Sequence, residues 1–117
     1  MIYMWIDDLR PAPAYYYQIN DPFYVINTTD NAIKVIRTEY KMGNTTFFLD
    51  IDNDAGEEFA QHGGDYINIL RRLEDMRHGG HLKNIQIQIK IHSMNPVAIQ
   101  NMRNIIKANN SWMKEIF

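Results

Sequence analysis

Cysteine is absent from the 117 residues, which excludes disulfides and thiolate metal sites and suits a reducing compartment. A cytoplasmic protein is therefore expected. No apolar run approaches the roughly 20 residues of a membrane-spanning helix, so no membrane partner is expected. The opening "MIYMWIDD" is too short and too acidic for a signal peptide. Strong charge of one sign is also missing. A formal net charge of −2 gives no general attraction to duplex DNA. Repeats, low-complexity tracts and linkers are absent, and the length fits one domain spanning residues 1–117. With 45% apolar residues the chain can build one core.

What is present alternates between two patterns. "IYMWI" is a compact apolar run that stops at Asp7 and Asp8, and it reads as a buried strand. "RPAPAYYYQINDP" is a loop with room for one short helical turn. "FYVIN" is a second strand. "TDNAIKVIRTEYKMGN" is a helix capped by Thr29 or Asp30, with Ile33, Ile36 and Tyr40 on one face and Gly43 at its stop. "TTFFLDI" is a third strand. "GGDYINILRRLEDMRHGG" is a helix whose stripe is Tyr66, Ile69, Leu70, Leu73 and Met76. In "NIQIQIKIHS" four isoleucines alternate with Gln86, Gln88 and Lys90, the pattern of a strand buried on one face, at or near a sheet edge. Asn95 caps a last helix that has Pro96 at its first position. The tail "SWMKEIF" is apolar enough to dock on a sheet edge or another chain. Through that tail (Trp112, Met113, Ile116, Phe117) or the fourth strand, a homo-oligomer could form. The alternation predicts an α/β fold: three layers around a mainly parallel, four-stranded sheet.

Parallel strands deliver their C-terminal ends to one crevice. Here that crevice receives Asp7 and Asp8 from strand one, Asp50 and Asp52 with Asp54 from strand three, and His92, Ser93 and Asn95 from strand four. Clustered carboxylates repel, so they need a cation, a proton or plentiful water. Mg²⁺ prefers oxygen ligands and retains waters, so one to three carboxylates suffice and a phosphate oxygen can join them. Individually, such aspartates also serve as helix caps or simply face water. An EF-hand does not fit: counted from Asp50, the sixth residue is Ala55 and the twelfth Gln61, where Gly and Glu are required. A haloacid-dehalogenase-like phosphatase, with Asp50 as nucleophile and Asp52 as acid/base, fits less well, since Asp54 stands where Thr or Val is usual. His62, His78 and His81 flank glycines and read as exposed turn residues. The Tyr15–Tyr16–Tyr17 run reads as a cover for the core at the edge of the crevice, in preference to a base-stacking platform.

Three blocks, "MWIDDLRPAP", "LDIDNDAGEEFAQHGGDYINILRRLE" and "IHSMNPVAIQNMRNII", resemble the cyclic-phosphate-processing receiver-like domain family, a divergent branch of response-regulator receivers. The resemblance implies an abbreviated receiver, or flavodoxin-like, fold. It places Asp7 and Asp8 as the acid pair and Asp52 as the acidic anchor with Asp54 beside it, so the expected metal ligands are Asp7, Asp8, Asp52 and Asp54. Asn53 stands where the family has histidine. No fifth strand with the receiver lysine is visible. The implied activity is that of a Mg²⁺-dependent phosphodiesterase or hydrolase acting on a cyclic phosphate during RNA processing. Its ligand would be a small phosphate, a nucleotide or an RNA end. Asp52 and His92 would be catalytic, with His92 moving a proton. Arg10, Ser93 and Asn95 would hold the phosphate. The alternative is a non-catalytic receiver-like module that binds a nucleotide or a protein partner.

Overall fold

The computed structural model describes residues 1–117. Five parallel strands form one sheet: β1 (Ile2–Ile6), β2 (Phe23–Ile26), β3 (Thr46–Ile51), β4 (Gln86–Ile91) and β5 (Met113–Glu115), in the order β2-β1-β3-β4-β5. The helices are α1 (Thr29–Lys41), α2 (Glu57–Ala60), α3 (Ile67–His78) and α4 (Pro96–Ala108), and a 3₁₀ turn spans Ala14–Gln18.

The register sorts the side chains. Ile2, Met4 and Ile6 lie opposite Phe47, Leu49 and Ile51, which lie opposite Ile87, Ile89 and Ile91. This face meets Ile33 and Ile36 of α1, Ile69, Leu70 and Leu73 of α3, and Met102 and Ile106 of α4 in one core. Right-handed crossovers explain why all three long helices share a face. The chain moves in one direction across the sheet from β2 to β3, β4 and β5, and in the other only from β1 to β2. That single reversed connection crosses the opposite face, and it holds no more than the 3₁₀ turn. The third layer is therefore thin. Tyr16 packs on Tyr3, Trp5, Phe23 and Phe48 and reaches Asp50, and the far side of that face is the polar row Gln86, Gln88, Lys90 and Lys114. The polar half of the fourth strand is explained: no helix covers it, and β4 lies one strand from the edge.

The fifth strand corrects the expected count of four. β5 extends the sheet beyond β4, with Ile87 N–H donating to Trp112 O at 2.9 Å and Ile116 N–H to Ile89 O at 2.8 Å. Three residues are too few to show a period of two, which hid the strand. The tail thus docks on its own sheet, with Trp112 and Met113 buried and Phe117 alone of its apolar residues left exposed. The outer edge of β4 is occupied by β5, so that edge is not open for pairing with a second copy. Arg103 grips Glu115 through both carboxylate oxygens at 3.0 and 3.1 Å, tying β5 to α4.

Two caps bear on the site. α1 is capped by Thr28 rather than Thr29 or Asp30: its hydroxyl accepts from Asn31 N–H at 3.1 Å. Thr29 instead donates toward Gly64 O and Asp65 O, and Asp30 pairs with Arg72 at 2.6 Å. Gly43, at φ +97°, ends the helical run in the left-handed conformation that glycine adopts most readily. Asn95 caps α4 as expected, accepting from Ala98 N–H at 3.1 Å. No helix is long and apolar enough to cross a membrane.

Candidate functional site

The order β2-β1-β3 makes the gap between the C-terminal ends of β1 and β3 the topological switch point, where open α/β sheets bind ligands. β1 ends there in Asp7 and Asp8, and β3 in Asp52. One oxygen from each of these carboxylates lies within 4.8 Å of the others, a spacing that can hold a divalent cation.

Each acid is held differently. Asp7 is buried. Its Oδ1 accepts from the backbone N–H groups of Leu9 (2.8 Å) and Arg10 (3.0 Å), and its Oδ2 from Arg10 Nε (3.0 Å). His92 Nε2 lies 2.9 Å from the same Oδ2. Burial raises the pKa of Asp7, but the N–H groups of Arg10 and Leu9 and the His92 contact outweigh it and hold the carboxyl below its ordinary value. Asp52 accepts from Asn53 N–H at 2.8 Å. Burial pushes its pKa up; the Asn53 bond opposes this, and the charge of Asp7 adds to it. Asp8 Oδ2 accepts from Gly56 N–H at 2.9 Å, while its Oδ1 is buried with no hydrogen-bond partner. The approach of Gly56 is close: a Cβ there would sit 2.7 Å from Asp8 Oδ2.

His92 follows β4 and turns back over β3. Its Nδ1 lies 2.6 Å from Asp50 Oδ1, and Tyr16 donates its hydroxyl to Asp50 Oδ2 at 2.6 Å. The Trp5 ring lies flat against the imidazole, with centroids 4.0 Å apart and planes 2° from parallel. Trp5 also donates its indole N–H to Arg10 O at 2.9 Å.

The expected residues divide. Asp7, Asp8, Asp52 and His92 are brought together. Asp54 is not: it is exposed past the strand end, accepting from Asn53 Nδ2 at 2.9 Å, and lies outside the acid cluster. Arg10 is turned inward. Its guanidinium meets Asp7, lies 3.4 Å from Asp52 and donates to His92 O at 3.2 Å, because the carboxylates at this rim attract the nearest cation. Ser93 Oγ accepts from Asn95 N–H at 3.1 Å, and Asn95 Oδ1 is spent on its cap. The Ser93 hydroxyl proton and the Asn95 Nδ2 group are free to donate. His62, His78 and His81 are exposed, as expected. Sequence reasoning gave Asp50 no partner and missed Trp5. The available signal was Asp50 interrupting an otherwise apolar strand directly opposite Trp5. The surface concavities run along α1 and past the end of α3, and none is lined by Asp7, Asp8, Asp52 or His92. Arg10 lies across the acids instead.

No curated protein and no solved structure gives a significant match to the chain. The expected "DDLRPAP" and "HSMNPV" blocks lie at the strand ends where the receiver fold carries its site, around the acids just described. The profile of the cyclic-phosphate processing receiver domain matches residues 2–108, nearly the whole chain, and the protein belongs to that family.

Proposed function

We propose that the C-terminal rim of the sheet is a divalent-cation site that hydrolyses a cyclic phosphate. The observation carrying this reading is Asp8 Oδ1, a buried carboxylate oxygen with no donor, on an acid whose carboxylate clusters with those of Asp7 and Asp52. A buried acceptor left unpaired costs about 1–3 kcal/mol, and more when it is charged. The local charge agrees. Asp7, Asp50 and Asp52 form ion pairs only with Arg10 and His92, and Asp8 with no cation; Lys90, across from Asp50 in the register, is beyond ion-pair distance, so the pairing leaves two negative charges even with His92 counted as imidazolium. That residue is the charge of one Mg²⁺ ion.

Asp7, Asp8 and Asp52 would hold the ion, which supplies charge neutralisation and polarisation of a phosphate oxygen. The remaining chemistry falls to the chain. Opening a cyclic phosphodiester adds a water oxygen to phosphorus and breaks one P–O bond; the water gives up one proton to solvent, and the departing ribose oxygen takes one. His92 Nε2 is the group at the rim that carries one. Arg10, on the loop after β1 with its side chain about 44% exposed, exchanges its carboxylate contacts for phosphate oxygens when the acids take a cation. Ser93 and Asn95 donate through the hydrogens that the α4 cap leaves free. Asn53 is buried and adjoins the cluster, but an amide cannot serve as the acid or base that a histidine there would provide.

The test is Mg²⁺ titration by calorimetry together with hydrolysis of 2′,3′-cyclic nucleoside monophosphates. Mg²⁺ binding and Mg²⁺-dependent turnover, both lost in Asp52→Asn, are expected. Mg²⁺ binding without turnover would leave a binding module, and absence of both would end the reading.

A further inference from the structure

We infer that Asp50 and Tyr16 are positioning residues for His92: they fix its imidazole with Nδ1–H directed inward, so that Nε2 is the nitrogen offered to the acid rim. The side chain of Asp50 is 2% exposed on a central strand. A carboxylate so placed needs donors on its oxygens and a cation nearby. No lysine or arginine lies within ion-pair distance of it, and each oxygen has one partner, Tyr16 on Oδ2 and His92 Nδ1 on Oδ1, both at 2.6 Å.

The first partner can only donate. Burial, with the Asp50 charge added, pushes the Tyr16 hydroxyl well above its ordinary pKa, so its proton stays in the bond. The second partner must also donate, because a bare Nδ1 would set its lone pair against those of the carboxylate oxygen 2.6 Å away. Nδ1 therefore carries a hydrogen. A ring flip would put carbon against Asp50, and the flat Trp5 ring, itself anchored by Arg10 O, restrains the imidazole plane. The 3₁₀ turn acquires a purpose: it is the only structure over that sheet face, and it delivers the Tyr16 hydroxyl to Asp50. A merely structural role would be served better by an apolar residue at position 50, since buried ionic groups seldom add stability over packed hydrocarbon.

This rests on His92 as the proton carrier, and the test separates the two ideas by reading the ring itself, with neither cation nor substrate present. Histidine ¹⁵N-labelled protein, with His92 assigned through His92→Gln, is examined by two-bond ¹H–¹⁵N correlation at fixed pH. Wild type is expected to show a hydrogen on Nδ1, far downfield and slow to exchange. In Asp50→Asn that hydrogen should leave Nδ1 or exchange about tenfold faster or more, the equivalent of one lost charge-assisted hydrogen bond. Tyr16→Phe keeps the ring packing and removes only the hydroxyl, so the Nδ1 hydrogen should stay while its resonance moves. In 2′,3′-cyclic nucleotide hydrolysis Asp50→Asn should lower kcat and leave KM unchanged. A bare Nδ1 in wild type, or His92 resonances unmoved in both variants, overturns the inference whatever the turnover assay gives.

Discussion

Replacing Asp8 with asparagine removes one charge from the acid cluster and changes almost nothing else. The amide oxygen can keep the bond from Gly56 N–H, and Nδ2 takes the place of Oδ1, which has no donor. One oxygen of Asp8 lies within 4.8 Å of an oxygen of Asp7 and of Asp52. At an effective dielectric of about 20, two unit charges at that separation repel by about 3 kcal/mol. Arg10 and His92 already offset much of this for Asp7 and Asp52. The gain in the metal-free protein then comes to about 1–2 kcal/mol, the scale of satisfying one buried acceptor. For a domain of this size that raises Tm by about 4–8 °C. With Mg²⁺ the order reverses. At about 100 times its Kd a ligand stabilises the folded state by about 2.7 kcal/mol, and the variant loses most of that. Urea denaturation in EDTA and in saturating Mg²⁺ reads both arms. If Asp8→Asn is less stable than wild type in EDTA, or gains as much from Mg²⁺, the reasoning from the unpartnered oxygen is wrong.

Gly56→Ala should keep the fold, since φ at Gly56 is −60°, but its Cβ displaces Asp8 Oδ2; Mg²⁺ affinity by calorimetry should drop by about tenfold, as for a disturbed outer-shell contact. The two central acids pull stability in opposite directions with pH. Asp7, held low, stabilises above its unfolded value of about 3.9, and that contribution is lost as pH falls through its folded value. Asp52, held high, favours the folded state while protonated, and that contribution is lost as pH rises from about 3.9 through its folded value. Denaturation across acid pH in EDTA should therefore show Asp52→Asn losing less stability than wild type between pH 4 and neutrality, on the order of one titrating group. Trp112→Ala should cost about 3–5 kcal/mol by leaving a cavity under β5 and removing the ring beneath Arg77; an unchanged urea midpoint would mean the fifth strand is not docked.

Much of the fold was readable because the signals were local. Apolar runs stop at polar residues, Asn95 and Pro96 open a helix by their own chemistry, and alternating isoleucines mark one buried face of β4. The convergence of Asp7, Asp8, Asp52 and His92 was readable too, since a parallel sheet sends every strand end to one rim. What stayed hidden depends on distant partners. β5 is a strand only because β4 offers an open edge. Arg10 turns inward only because three segments place acids around it. Asp54 was expected beside Asp52 from the resemblance, yet β3 ends at Ile51 and the chain turns before Asp54 is reached. Asp50 looked like the weakest member of its cluster, because its partners are 34 and 42 residues away.

The flat contact between Trp5 and His92 gives the protein a built-in optical reporter. The chain has two tryptophans. Trp112 is sealed beneath Arg77, just before β5 begins and so at the opposite end of the sheet from the rim. Trp5 lies flat on the imidazole and donates its indole N–H to the backbone oxygen of Arg10, so emission from this one ring responds to the charge on His92 and to the placing of the Arg10 loop, both beside the proposed cation site. Occupancy of the rim can thus be followed by native fluorescence, without a label and without knowledge of the natural substrate.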